Sequence, residues 1–140
     1  MCLGHSELIF FDTQTRAWEE VPGVKGAEWK VFQTDPHTGG VQALVKFPAG
    51  AMEPPHHHTY GHWVYVQEGA KVVENLTQGK RFILSNGMYL FTPAPAVHRV
   101  TYLSRCTFLF VSEGPFDIFW DSEQQSVIIP EGAEVEEKVR

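Results

Sequence analysis

The chain has 140 residues, 43% of them hydrophobic and 20% charged, with a formal net charge of −6. That length suits one domain burying about 68–70% of its unfolded surface, and the 11 scattered basic residues argue against a nucleic-acid partner. There is no apolar run of 18 or more residues and no basic stretch leading into an apolar one at the N-terminus, which excludes a membrane span and a secretory signal and leaves a soluble, cytoplasmic protein as the default expectation.

Taken in chain order, short runs rich in β-branched and aromatic residues recur with turn signals between them, while helical periodicity is nearly absent. Strands are predicted at 8–11, 28–33, 41–47, 62–67, 71–76, 81–84, 88–91, 98–103, 107–111, 116–120 and 126–129. The punctuation falls at Asp35 to Gly40, Glu68-Gly69, Gln78-Gly79 and Ser85-Asn86-Gly87. Asn86-Gly87 between two strand-like runs predicts a hairpin. The Glu19-Glu20 pair reads as a solvated turn rather than an acid/base dyad. Many short strands without crossover helices make an all-β domain over residues 1–130, two antiparallel sheets of jelly-roll type, followed by a charged tail at 131–140 that reads as a solvated terminus, although Glu134 and Lys138 could pair on a short helix. Cys2 and Cys106 form no zinc-type or redox spacing, and Cys106, inside an apolar run, reads as a small buried hydrophobe.

Four of the seven histidines stand in the segment Pro54-Pro55-His56-His57-His58-Thr59-Tyr60-Gly61-His62. Neutral imidazole is the commonest protein ligand for a transition metal. On a strand, side chains repeat every two residues on one face, so His56, His58 and His62 share a parity and His57 points away. His98, far downstream after a proline-marked turn, completes a possible set of four, whereas His5 and His37 belong to a terminus and a turn and take no role. A histidine-rich surface tract that merely scavenges metal would leave His98 and its surroundings unexplained.

Two blocks carry a family resemblance. Gly50, His56, His58 and Gly69 stand at the spacings G-x5-H-x-H…G, and Gly87, Pro93 and His98 at those of a second block. Together they resemble the paired motifs of the cupin superfamily over roughly residues 40–112. Three positions depart from the pattern: His62 replaces the usual glutamate ligand, Pro95 a glycine and Tyr102 an asparagine. Among cupins, the chain is most similar to small single-domain members with all-histidine sites: the acetylacetone-cleaving and dihydroxyacetophenone dioxygenases and the cupin domain of ChrR-like anti-sigma factors.

The resemblance implies a jelly-roll barrel holding one divalent metal on His56, His58, His62 and His98, with iron(II) the first choice and zinc or nickel open on the same nitrogens. A site with four neutral imidazoles and no carboxylate keeps the full charge of the metal and favours an anionic ligand such as an enolate. The expected function is an iron(II) dioxygenase cleaving a small enolisable ketone or β-diketone. The alternatives are a non-catalytic sensor or structural zinc cupin and a metal-dependent isomerase or lyase. Tyr60 and Tyr102 are candidates to face substrate, and Glu53 is a candidate base, although a solvated loop carboxylate is the plainer reading of it. A homodimer is expected, because such barrels leave sheet edges to cover.

Overall fold

A computed structural model describes residues 7–121 and the two-residue strand at 127–128. After a 3₁₀ turn at Thr13–Thr15, capped by the Asp12 carboxylate, the chain is built from strands. These are β1 (Glu19–Glu20), β2 (Glu28–Thr34), β3 (Val41–Phe47), β4 (Ala51–His57), β5 (His62–Glu68) and β6 (Lys71–Asn75). They continue as β7 (Lys80–Leu84), β8 (Tyr89–Thr92), β9 (His98–Tyr102), β10 (Cys106–Ser112), β11 (Phe119–Trp120) and β12 (Val127–Ile128). One sheet runs β1-β2-β3-β10-β5-β8 and the other β11-β4-β9-β6-β7, with β12 added on β4. Every pairing is antiparallel. This is the expected double-sheet jelly roll. Among the described residues no helix is long and apolar enough to cross a membrane.

Alternation of side chains fills the space between the sheets. On β3, Val41, Ala43, Val45 and Phe47 are buried while the residues between them are not. On β10, Cys106, Phe108 and Phe110 are buried, so the apolar reading of Cys106 holds. Phe47 stacks on Tyr102 with ring centroids 4.0 Å apart and lies 6.2 Å from Phe108, closing one part of the core with aromatic rings. The same period carries His62 and Val64 of β5, and His98, Val100 and Tyr102 of β9, into the interior.

The structure departs from the sequence reading at several places. Residues 8–11 form no strand, and Leu8 and Phe10 stand 96% and 93% exposed. Asn86-Gly87 joins no hairpin: β7 pairs with β6 and β8 with β5, so this turn carries the chain from one sheet to the other. The true hairpin turn beside it is the one at Gly79, between β6 and β7. Glu19 and Glu20 are exposed, as expected, but pair with β2 as a short strand. Only Phe119–Trp120 of the 116–120 run is strand, and β4 was not foreseen as a whole strand. Cys2, His5 and the Glu134/Lys138 pair lie outside the described residues.

Gly69 turns the chain between sheets after β5, with φ of +92°. A Cβ there would meet the Arg105 carbonyl oxygen at 2.0 Å and the Cys106 Cα at 2.8 Å. Both obstacles are backbone, so Gly69→Ala should cost at least about 2 kcal/mol of stability. Gly79, with φ of +67° and open space around it, isolates the backbone penalty alone; Gly79→Ala should cost only about 1 kcal/mol. Urea unfolding of the two variants measures the difference.

Candidate metal centre and cavity

His56 and His98 are directly opposite one another in the β4–β9 register, and their rings are 4.1 Å apart. Pro54-Pro55 interrupts that ladder: the register shifts between Glu53 and His56. Proline has no N–H to donate, so a bulge is where a strand can hold it. The shift also changes the parity, and both Glu53 and His56 are buried although three positions separate them. His58 lies just past the end of β4, in the loop that crosses to the other sheet, and His62 opens β5 there. Centroids of His58 lie 5.2 Å from His56, 5.3 Å from His98 and 4.9 Å from His62.

The Nδ1 atoms explain how the rings are aimed. His56 Nδ1 faces the Pro54 carbonyl at 2.7 Å, His98 Nδ1 the Ala96 carbonyl at 3.1 Å, and His58 Nδ1 the Asp117 carbonyl. A carbonyl oxygen only accepts, so each Nδ1 carries the proton and each Nε2 is left with a free lone pair. One ligand atom from each of His56, His58 and His98 falls within a cluster whose members are all within 4.8 Å of one another. Burial supplies the charge state. It depresses the His56 pKa to about 4, with the Pro54 hydrogen bond opposing, and the His98 pKa to about 3, with nearby His56 adding to the effect. Three pre-oriented imidazoles, of which burial keeps His56 and His98 neutral, fit a divalent transition metal in donor type.

His62 is 8% exposed, and burial, reinforced by His58 and His98, also holds it well below the ordinary histidine pKa. Its ring is beside the trio, 5.8 Å from that of His98, but it stands outside the three-residue cluster. It has no carbonyl hydrogen bond like the others among the described residues. His57 turns outward as expected, its Nδ1 2.8 Å from Asp121 Oδ2 and its ring stacked near Phe119.

A cavity of about 60 Å³, partly open to solvent, joins these histidines to an apolar wall that includes Val45, Phe47, Val64, Val73, Val100, Phe110 and Phe116. Its other polar lining is Glu53, Lys71, Thr92 and Tyr102. Glu53 is not the solvated loop residue of the plainer reading. It is 9% exposed, its Oε1 accepts a 2.7 Å hydrogen bond from the Tyr102 hydroxyl, and its Oε2 lies 3.5 Å from His56 Nε2. The surroundings of the histidines are therefore not carboxylate-free. Tyr102 is 1% exposed; burial, and then the Glu53 charge, hold its pKa well above the ordinary value, so it stays a donor. Tyr60 is 43% exposed, packs against Gly114 and does not line the cavity.

Lys71 was not foreseen. It is the first residue of β6, its ammonium 3.4 Å from the Phe108 ring centroid, and burial lowers its pKa to about 8. Strand alternation was the one available signal, since Lys71 and Val73 share a parity.

An all-β jelly roll whose interior collects histidines from β4, the following loop and β9 defines a cupin of the metal-binding type. The model of the ChrR cupin-like domain matches residues 6–117, and the chain belongs to that family. It is 39% identical over 113 residues to the DNA damage-repair/toleration protein DRT102 of Arabidopsis thaliana; the match takes in 81% of this chain but only 35% of that protein. Among solved structures, KdgF from Halomonas sp. is 27% identical, with a TM-score of 0.62 over 74% of this chain and 94% of that one. An acetylacetone dioxygenase from Acinetobacter johnsonii shares the fold at 18% identity, with a TM-score of 0.67 over 91% and 89% of the two chains.

Protonation of the depressed histidines links stability to pH. In the metal-free protein, His56 and His98 are neutral when folded but titrate near 6.5 when unfolded. The unfolded chain therefore binds more protons between about 6.5 and 4, and stability is full above that window and falls within it. The expected loss is about 1.4 kcal/mol per pH unit for each histidine. Urea unfolding from pH 7.5 to 4.5 should show that slope, and His98→Asn should make it shallower; a slope unaltered by the substitution would contradict the assignment.

Proposed function

We propose that this protein is a metal-dependent oxidoreductase of dioxygenase type, acting on a small enolisable ketone or β-diketone bound in the cavity. The observation that carries the reading is the convergence of three inward-aimed imidazoles on a largely apolar cavity. His56, His58 and His98 would hold one divalent ion, iron(II) by preference, with His62 as a fourth ligand or a close neighbour. When bound, such an ion supplies Lewis acidity toward a carbonyl oxygen and, as iron, access to dioxygen.

The chain's own residues supply the rest. Phe110, Phe116 and the valines keep water from the reacting carbons. Glu53 Oε2 is placed to take the proton from the carbon between two carbonyls, while the Tyr102 hydroxyl fixes the carboxylate through Oε1. Tyr102 acts by positioning. The family match favours a second reading, a non-catalytic metal sensor, in which the same histidines bind zinc.

The test begins with elemental analysis of protein purified without a histidine tag or added metal. About one equivalent of iron, reduced below a tenth in His98→Ala, together with oxygen uptake on pentane-2,4-dione, is the expected result. Stoichiometric zinc with no oxygen uptake across a panel of diketones would favour the sensor. We also place a homodimer in this reading, because β7 and β8 are edge strands bearing exposed Ile83 and Tyr89. Light scattering should give twice the 15.8 kDa chain mass, falling to one chain in Ile83→Glu.

A further inference from the structure

Lys71 is a buried ammonium without a matching anion. It is 3% exposed, and among the described residues its ammonium makes no ion pair or hydrogen bond. Its contacts are aromatic: the Phe108 ring at 3.4 Å and the Tyr102 ring at 5.5 Å. Cation–π attraction is weaker than the cost of taking an ammonium out of water. The rings therefore offset only part of the penalty. The Glu53 carboxylate attracts Lys71 from a distance but is already engaged by the Tyr102 hydroxyl. The remaining direction open to the ammonium is the cavity, which Lys71 lines.

The sheet register fixes where that charge sits. Lys71 pairs with Tyr102, Val73 with Val100, and Asn75 with His98 on the neighbouring β9. Lys71 therefore lies four residues along the strand from the level of the histidines, about 13 Å of strand at 3.3 Å per residue. Apolar Val73, Val100 and Val64 line the cavity with these two polar ends. The same lining also carries the Tyr102–Glu53 pair, whose Oε2 is 3.5 Å from His56 Nε2.

We propose that Lys71 is a second anchor for the ligand, binding the carboxylate of a small oxo acid whose carbonyl oxygen faces His56, His58 and His98. A carboxylate would give the ammonium the charged, hydrogen-bonding partner it lacks, and the few carbons between carboxylate and ketone would lie against the valines. This narrows the substrate class of the proposed function from ketones in general to keto acids, and it rests on the same reading of the cavity as a ligand site.

The test compares 4-oxopentanoate with its methyl ester by isothermal titration calorimetry, using metal-free and zinc-loaded protein, in which no oxygen chemistry occurs. In wild-type protein the free acid should bind at least tenfold more tightly than the ester with or without zinc. Lys71→Met should abolish the preference and Lys71→Arg should keep most of it, with zinc content and melting temperature close to wild type. Equal binding of acid and ester by wild-type protein would overturn the proposal without any variant. So would a preference that survives in Lys71→Met, or one that appears only with zinc, since the metal would then be the anchor. An acid preference in protein unable to hold zinc would sink the metal reading and leave Lys71 as the anchor.

Discussion

Three backbone carbonyls govern the chemistry available to this protein. Those of Pro54, Ala96 and Asp117 each accept a hydrogen bond from the Nδ1–H of a histidine and leave its Nε2 pointing inward. An imidazole can rotate and can change tautomer, and in water it does both. Here the main chain removes that freedom before any ligand arrives, which lowers the entropic cost of assembling the site. Two of the three carbonyls lie only two residues before the histidine they orient. The Pro54-to-His56 and Ala96-to-His98 arrangements are local devices repeated at two neighbouring strands of one sheet, and the β4–β9 register brings them together.

Around this frame, buried charge is distributed unevenly. Glu53, Tyr102 and Lys71 share one cavity with the histidines, yet the carboxylate is bound to the phenol and the ammonium to aromatic rings. Counting the imidazoles as neutral, Glu53 and Lys71 cancel, and a divalent ion would leave the cavity with a net positive charge. In a medium of low dielectric such an excess attracts small anions strongly. The apolar wall intensifies that preference because it excludes competing water.

Much of the architecture was legible because its signals are local. Alternation at 41–47 and 62–67 reports a half-buried strand wherever it occurs, and the histidine spacing with Gly87 and Pro93 pointed to His98 across forty positions of sequence. What escaped depended on contacts that only the fold creates. Asn86-Gly87 is a good turn, but its dipeptide does not say whether the strands on either side pair or part into different sheets. The reading of Glu53 as a loop carboxylate did not anticipate that β4 runs through Pro54-Pro55 as a bulge, which buries Glu53 and His56 together. Lys71 begins a strand after a turn, where lysines are ordinarily solvated, and only the closure of the second sheet puts it inside. Tyr60 shares parity with His58, but it follows the end of β4, where the period of a strand no longer applies.

The segment that follows β10 holds the histidine loop at three points. The Asp117 carbonyl orients His58, its carboxylate accepts from the Thr59 N–H at 2.8 Å, and the Asp121 N–H donates to the Pro55 carbonyl at 2.8 Å. Those partners are about sixty residues apart in sequence. An ion that requires His58 therefore also requires this segment to be docked, and its binding energy holds the segment in place. With an ion bound, occupancy of the centre would be felt at the outer strand β11, through the main chain of residues 117–121.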